Sequence, residues 1–287
     1  MIANETHASQ PAAIEAGIVY LVYTGEAPVF HQSLSAAERM AMAGQREKKM
    51  VTIRNGRLSP GGFSLDVEGF TLAEHQTAVT DFFDDRQLSA IYTPELERLV
   101  AKHAGASRVI VFDHTRRSSA ASTREKHSAR DPVAAAHVDY NDSSARQRLK
   151  DVLGDKAGEV AGKRFSIINV WRSMNTIIQE WPLAVCDART FDETKLHSTV
   201  REAPVRAEPS FEYNRPSETR HAAFDARHKW FYFPQMNRNE ALIFKNHDTE
   251  ANGIARYSMH TAFEDPDTPA KPAPRESIES RVLAFYD

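Results

Sequence analysis

His137-Val138-Asp139 sets an imidazole and a carboxylate two residues apart, within the stretch Asp131-Pro-Val-Ala-Ala-Ala-His-Val-Asp-Tyr140. On an extended strand, residues i and i+2 project from the same face. The pair can therefore offer two ligand atoms to one point. A second histidine, His260, stands far downstream in Tyr257-Ser-Met-His-Thr-Ala-Phe263. Two imidazoles and one carboxylate on one face of an ion, with the other positions open, is the arrangement that suits non-haem Fe(II) and its chemistry with O₂. Such ligation needs neutral imidazoles and an ionised carboxylate, so it weakens at acid pH. A lone His-x-Asp is a weak pattern, and an ordinary surface strand accounts for it equally well. His103, His114, His228 and His247 compete with His260 for the third position. His114, which follows a predicted strand, is the most serious of them.

Arg275-Glu-Ser277 adds a second chemical signal at the start of the last predicted strand. A guanidinium is a rigid, permanently charged fork that can hold a carboxylate through two bonds. A serine hydroxyl two positions on shares its face and adds a donor. Together they could grip the distal carboxylate of 2-oxoglutarate while the 2-oxo acid end reaches the ion. Alone, Arg-x-Ser is more simply a surface ion pair of Arg275 with Glu279 or Asp265. Following His-x-Asp and His260 in this order, the ligand role is favoured.

The elements that must position these residues are mostly strands. Ile18–Tyr23, Lys48–Arg54, Ser107–Asp113, Lys163–Trp171, Trp181–Asp187, Gly253–Phe263 and Arg275–Phe285 are rich in β-branched and aromatic residues and bounded by turn formers. Lys229–Phe233 and Ala241–His247, joined by Pro234–Glu240, read as a hairpin. Helices are predicted from Thr93, with Pro94 in the first turn and Gly105 as the stop, and over 144–160. A capping-box pattern predicts another at Thr71–Glu74, extending through 77–83, and Ser35–Met42 reads as a helix or turn. Residues 115–131 are polar and aperiodic. A loop of that length is commonly functional, and its position just before His137 makes it a candidate lid. The expected fold is mainly β with flanking helices, its second half a run of short strands as in a sandwich or jelly roll. The chain reads as a single domain over 1–287: 1–16 disordered, 17–112 a mixed part packing on the core, and 132–287 most of the jelly roll.

Composition narrows the class. Apolar residues make up 41% of the 287, enough for one large core. A formal net charge of −3 argues against nucleic acid or an anionic membrane as partner. Cys186 is the lone cysteine, so no intrachain disulfide can form. The N-terminus lacks the basic and apolar regions of a signal peptide. A cytoplasmic protein is expected.

Several short stretches together resemble one family. They are Phe63-Ser-Leu-Asp66 with Gly69-Phe70, Thr77-Ala-Val79, Val111-Phe-Asp-His-Thr-Arg-Arg117, Pro132–Tyr140, Ile168-Asn-Val-Trp-Arg172, Pro182–Asp187, Trp230–Pro234, Glu240–Lys245, His260–Phe263, and Pro274–Glu279 with Arg281. In combination the chain resembles the AsaB/CmcJ-like hydroxylase/desaturase family of non-haem Fe(II)/2-oxoglutarate-dependent oxygenases. The resemblance implies a double-stranded β-helix (cupin-like jelly-roll) core and a dioxygenase that hydroxylates or desaturates a small-molecule secondary metabolite or its precursor, with Fe(II), 2-oxoglutarate as cosubstrate and O₂. It carries His137, Asp139 and His260 over as metal ligands, and Arg275, with Ser277, as the cosubstrate anchor; Arg172 and Arg281 are the alternative anchors. Tyr140, Trp171 and Arg172 become candidate substrate contacts, although Trp171 is by default core and Arg172 points away from Asn169 and Trp171 on the same strand. Two departures lie near the site: Ser173-Met174 where Pro-Leu is expected, and Ser258-Met259 where Thr-Pro is expected. The rival readings are an Fe(II) oxidase without 2-oxoglutarate, a zinc hydrolase, which also needs a nearby general base, and a non-catalytic cupin-like binding protein.

Overall fold

A computed structural model describes residues 11–31, 44–160, 162–175, 177–202 and 217–287. Strand β7 (Phe165–Ser173) is the centre of the architecture because it is buried along its whole length. Its sequence, Phe-Ser-Ile-Ile-Asn-Val-Trp-Arg-Ser, lacks clean alternation because both faces are covered. Odd-numbered residues face the space between two sheets, and Trp171 packs there with Phe244 and Val185. Even-numbered Ile168 and Val170 face the other way, against Leu96, Leu99 and Val100 of helix α1 (Thr93–Ala104).

β7 belongs to a five-stranded sheet in the order β4 (Phe70–Glu74), β12 (Glu240–Asp248), β7, β14 (Glu276–Phe285), β5 (Arg108–Ser118). Opposite it lies a nine-stranded sheet: β1 (Ala13–Leu21), β3 (Arg46–Asn55), β11 (Trp230–Tyr232), β8 (Leu183–Cys186), β13 (His260–Ala262), β6 (His137–Val138), β10 (Ser217–Ala222), β9 (Leu196–Glu202) and β2 (Val29–His31). Two facing, mostly antiparallel sheets with chain crossings between them form the jelly roll that the strand pattern predicts. The strand expected over 253–263 contracts to β13 alone, which still brings His260 opposite His137 in register.

Several local expectations give way to tertiary pairing. Residues 13–16 are not frayed; they begin β1, paired with Val51–Arg54. Thr71–Glu74 is not helical: the segment is β4, with Phe70–Glu74 paired to Phe244–Glu240. That ladder outweighs a capping-box pattern whose worth is local. Thr93 does not cap α1, because a turn over Leu88–Tyr92 runs directly into it. Gly105 does end it, in the left-handed conformation that glycine adopts without a Cβ penalty. The helix expected over 144–160 is α3 (Asp142–Leu153) followed by a 3₁₀ segment. The expected hairpin of β11 and β12 does not form. β11 pairs with β3 and β8 in the large sheet, while β12 joins the small one. Arg57 pins that crossover, donating to both carboxylate oxygens of Glu240 at 2.5 and 2.8 Å and to the Pro234 carbonyl.

The 115–131 lid is likewise not a loop. Thr115–Ser118 extend β5 against Glu276–Glu279, and Ala121–His127 form helix α2. The Ser35–Met42 segment falls outside the described residues.

Candidate metal and cosubstrate site

His137 and His260 are cross-strand partners of β6 and β13, and Asp139 follows β6 immediately. Directly paired residues on neighbouring strands bring their side chains together on one face. The two imidazole centroids lie 4.3 Å apart. Asp139 Oδ1 is 3.4 Å from His137 Nε2 and 3.9 Å from His260 Nε2. One ligand atom from each of the three residues falls within a span of 4.8 Å, the only such cluster of three or more His, Cys, Asp or Glu ligands among the described residues.

The hydrogen bonds set each group in the form a cation needs. His137 Nδ1 lies 2.7 Å from the Ala135 carbonyl and His260 Nδ1 3.4 Å from that of Ser258. A carbonyl can only accept, so these nitrogens carry the protons and both Nε2 lone pairs point inward. Burial pushes His260 down to about 3, with His137 beside it adding and Asp139 opposing, so the ring is neutral at pH 7. Burial alone would raise the Asp139 carboxyl. The Arg281 guanidinium, helped by the histidines, instead holds it well below the usual carboxylate range. Two imidazole nitrogens and one carboxylate oxygen in this span fit a divalent transition metal.

The other wall is made by the inner faces of β7 and β14. Arg275 is 2% exposed, yet it makes no ion pair among the described residues. Its Nε donates to Ser277 Oγ at 3.1 Å and its Nη1 to the Trp181 carbonyl at 2.5 Å, and the guanidinium lies 5.1 Å from the Trp171 ring centroid. Burial, with Arg117 adding, lowers its pKa to about 9, so it is still a cation at neutral pH. Glu279 and Glu180 oppose that lowering but neither pairs with the guanidinium, and a buried cation without a direct partner is costly unless an anion joins it. Trp171 Nε1 and Asn169 Oδ1, both on the inner face of β7, are also buried without partners. The donors fit a dicarboxylate such as 2-oxoglutarate.

The structure brings His137, Asp139 and His260 together, and sets Arg275, Ser277 and Trp171 on the facing sheet. It does not bring Arg172 there. That side chain lies on the outer face of β7, bonded to the carbonyls of His75 and Arg238 and to His75 Nδ1, under the Tyr92 ring. Tyr140 packs with Leu149, Phe165 and Leu283 in a satellite core. Arg281 is not free to anchor a ligand: its nitrogens go to Asp139, Asp113 and Glu279. Of the rival histidines, His103 lies in the last turn of α1 and the other three are engaged elsewhere. His114 binds Thr93 and Ser280, His247 binds Asp142, and His228 binds Tyr20. Sequence reasoning missed Asn246, whose only signal is its place beside a bulge in β12, and gave Asn169 no role.

A curled two-sheet barrel with this constellation defines a jelly-roll non-haem iron oxygenase. Residues 18–285 match the family described as Oxidoreductase/YMDC permease-like domain. The chain is 33% identical over 254 residues to the hydroxylase/desaturase CTB9 of Cercospora beticola, covering 84% of this chain and 78% of that one. It is 30% identical over 285 residues to the alpha-ketoglutarate-dependent dioxygenase phiK of a fungal species, covering 96% and 100%. Among solved structures it superimposes on the iron and alpha-ketoglutarate-dependent endoperoxidase NvfI with a TM-score of 0.79 at 25% identity, over 96% of this chain and 98% of that one. The chain belongs to this family and is an Fe(II)/2-oxoglutarate-dependent dioxygenase that uses Fe(II), 2-oxoglutarate and O₂. No helix among the described residues is long and apolar enough to cross a membrane.

Proposed function

We propose that His137 Nε2, Asp139 Oδ1 and His260 Nε2 hold the iron, and that Arg275 and Ser277 hold the distal carboxylate of 2-oxoglutarate. The observation that carries this reading is the convergence of two unprotonated Nε2 atoms and one carboxylate oxygen within 4.8 Å. Iron, 2-oxoglutarate and O₂ supply the oxidising power to remove hydrogen from an unactivated C–H bond.

The chain's own residues orient and shield. Arg275 attracts and aligns the dianion through a fork whose Nε is already held by Ser277. Phe244 of the small sheet, centred 4.6 Å from the His260 ring, and Val185 of the large sheet, paired with His260, exclude water around that histidine. Trp171 backs Arg275 and presents its unpartnered Nε1 to the same space.

The substrate in this reading is a small secondary metabolite or its precursor, hydroxylated or desaturated at carbon, with the chain acting as one oxygenase unit in the cytoplasm. The test is anaerobic titration of the iron-loaded protein with 2-oxoglutarate, followed by succinate release in air. Iron binding without any 2-oxoglutarate-dependent optical change or succinate would instead favour an iron oxidase.

A further inference from the structure

We propose that Arg281, Asn169 and Asn246 form a clamp that confines Asp139 to single-oxygen ligation, keeping the ion's remaining positions open for 2-oxoglutarate. The inference rests on the metal reading above. Asp139 Oδ2 accepts from Arg281 Nε at 2.9 Å, Asn169 Nδ2 at 3.1 Å and Asn246 Nδ2 at 3.4 Å. Three donors saturate one carboxylate oxygen. Oδ1 faces the two imidazole nitrogens instead. For Asp139 to bind through both oxygens, Oδ2 would have to leave a charge-assisted bond and two amides.

None of the three donors can readily follow it. Arg281 Nη1 is held by Asp113 and Thr115, and Nη2 by Glu279 at 2.7 Å, so its fork is tied at every nitrogen. Asn246 is held reciprocally. Its Oδ1 accepts the Asp139 backbone N–H at 3.0 Å, which obliges its Nδ2 to face Oδ2. Asn169 sits on β7, opposite Arg281 in the β7–β14 register.

Two β-bulges flank this spot. One falls in β12 between Lys245 and His247, at Asn246 itself, and the other lies in the β14–β5 pairing between Arg281 and Val282. A bulge re-aims a side chain at the expense of ladder bonds. Here one re-aims Asn246 and the other lies at Arg281, so both mark the same carboxylate. Arg281 and the two amides are positioning residues, because they act through Asp139.

The test loads wild-type, Arg281→Lys, Asn169→Ala and Asp139→Ala proteins with Co(II), whose visible spectrum reports coordination number. It then measures 2-oxoglutarate affinity of the Fe(II) forms without oxygen. The expected result is that Arg281→Lys and Asn169→Ala still take one Co(II) per chain, with a spectrum altered towards higher coordination. Affinity for 2-oxoglutarate falls about 10- to 100-fold in Arg281→Lys, the range for partners of a metal ligand, and less in Asn169→Ala. Unchanged spectra and affinities in both variants overturn the clamp. Weaker 2-oxoglutarate binding with an unchanged Co(II) spectrum also overturns it, making Arg281 a direct ligand contact. An Asp139→Ala protein with the wild-type Co(II) spectrum removes the metal reading itself, and the clamp with it. If Arg281→Lys does not fold, Asn169→Ala decides in the same terms, since it leaves no buried charge unpaired.

Discussion

The space between the sheets and the layer beneath α1 both bury histidine and arginine, yet only one of them is built for a ligand. Beneath α1, the histidine and the arginine are tied to protein groups, although Arg172 Nε and the Tyr92 hydroxyl have no hydrogen-bond partner. His114 uses both ring nitrogens, on Ser280 Oγ at 2.7 Å and Thr93 Oγ1 at 3.1 Å. Arg172 bonds two carbonyls and an imidazole under the Tyr92 ring. Between the sheets, His137 and His260 use one nitrogen each and leave the other facing Asp139. The Arg275 guanidinium is buried without a direct ion pair among the described residues, and Trp171 Nε1 and Asn169 Oδ1 have no partner. Neither burial nor an isolated unpaired atom separates the two regions, since both hold them. What separates them is convergence: among the described residues, only between the sheets do two imidazoles and a carboxylate bring ligand atoms within 4.8 Å of one another.

The sharpest way to break this contrast is to exchange the roles of the histidines. His260→Ala or Asp139→Ala is expected to abolish iron binding and turnover. His114→Ala is expected to keep both and lose about 1–3 kcal/mol of stability from its orphaned partners. Metal analysis, succinate release and urea unfolding on the same preparations measure all three. Iron retained by His260→Ala and lost by His114→Ala would reverse the assignment.

The arginines give the next largest effect. Arg275→Lys retains the charge but loses the fork, and the KM for 2-oxoglutarate should rise about 10- to 100-fold, equivalent to about 1.5–3 kcal/mol for a charge-assisted bond. Ser277→Ala should move it in the same direction by less. Arg172→Lys should leave the KM within about twofold while lowering the unfolding midpoint, because its bonds lie outside the site. A KM that responds to Arg172 and not to Arg275 would place the anchor beneath α1.

A packing substitution on the outer face should separate stability from cosubstrate binding. Ile168→Ala empties a fully buried position against α1 and should cost about 2–5 kcal/mol. The affinity for 2-oxoglutarate measured below the unfolding transition should stay the same. A parallel loss of affinity would mean that the two faces of β7 are mechanically coupled.

The smallest effect is common to both regions and comes from pH. His260 lies at about 3, and His114 and His228 at about 4, each lowered first by burial. The unfolded chain takes up protons on these rings near pH 6.5 while the folded chain does not. Their contribution is therefore present above about 6.5 and is lost as pH falls towards 4. Metal-free protein should show a urea midpoint that declines between pH 7 and pH 5, and His114→Gln should decline less steeply. An equal slope in the variant would remove His114 from the account.

Much of the site was legible because its chemistry is written in short spacings. His137 and Asp139 two apart, and Arg275 and Ser277 two apart, each predict a shared face. Even the exclusion of Arg172 follows from its odd offset to Asn169 and Trp171. The paired segments at 48–54, 163–171 and 275–285 were equally readable, since β-branched runs with turn formers at both ends need no partner to be recognised. The sequence by itself therefore determined the residue types, the strand-rich class and which side chains share a face.

Tertiary structure alone decided which faces meet. Thr71–Glu74 is a strand only because β12 lies beside it, and 229–247 divides between two sheets because β11 finds β3 and β8. His260 outcompetes His114 through cross-strand register with His137, which no spacing along the chain encodes. Asn246 reaches Asp139 through a bulge, and Arg281 meets Asp139 rather than an incoming anion because β14 pairs with β7 in one register and not another. Local sequence sets the direction of a side chain with period two, but its neighbour is set by long-range pairing, where a shift of one residue turns every side chain to the opposite face.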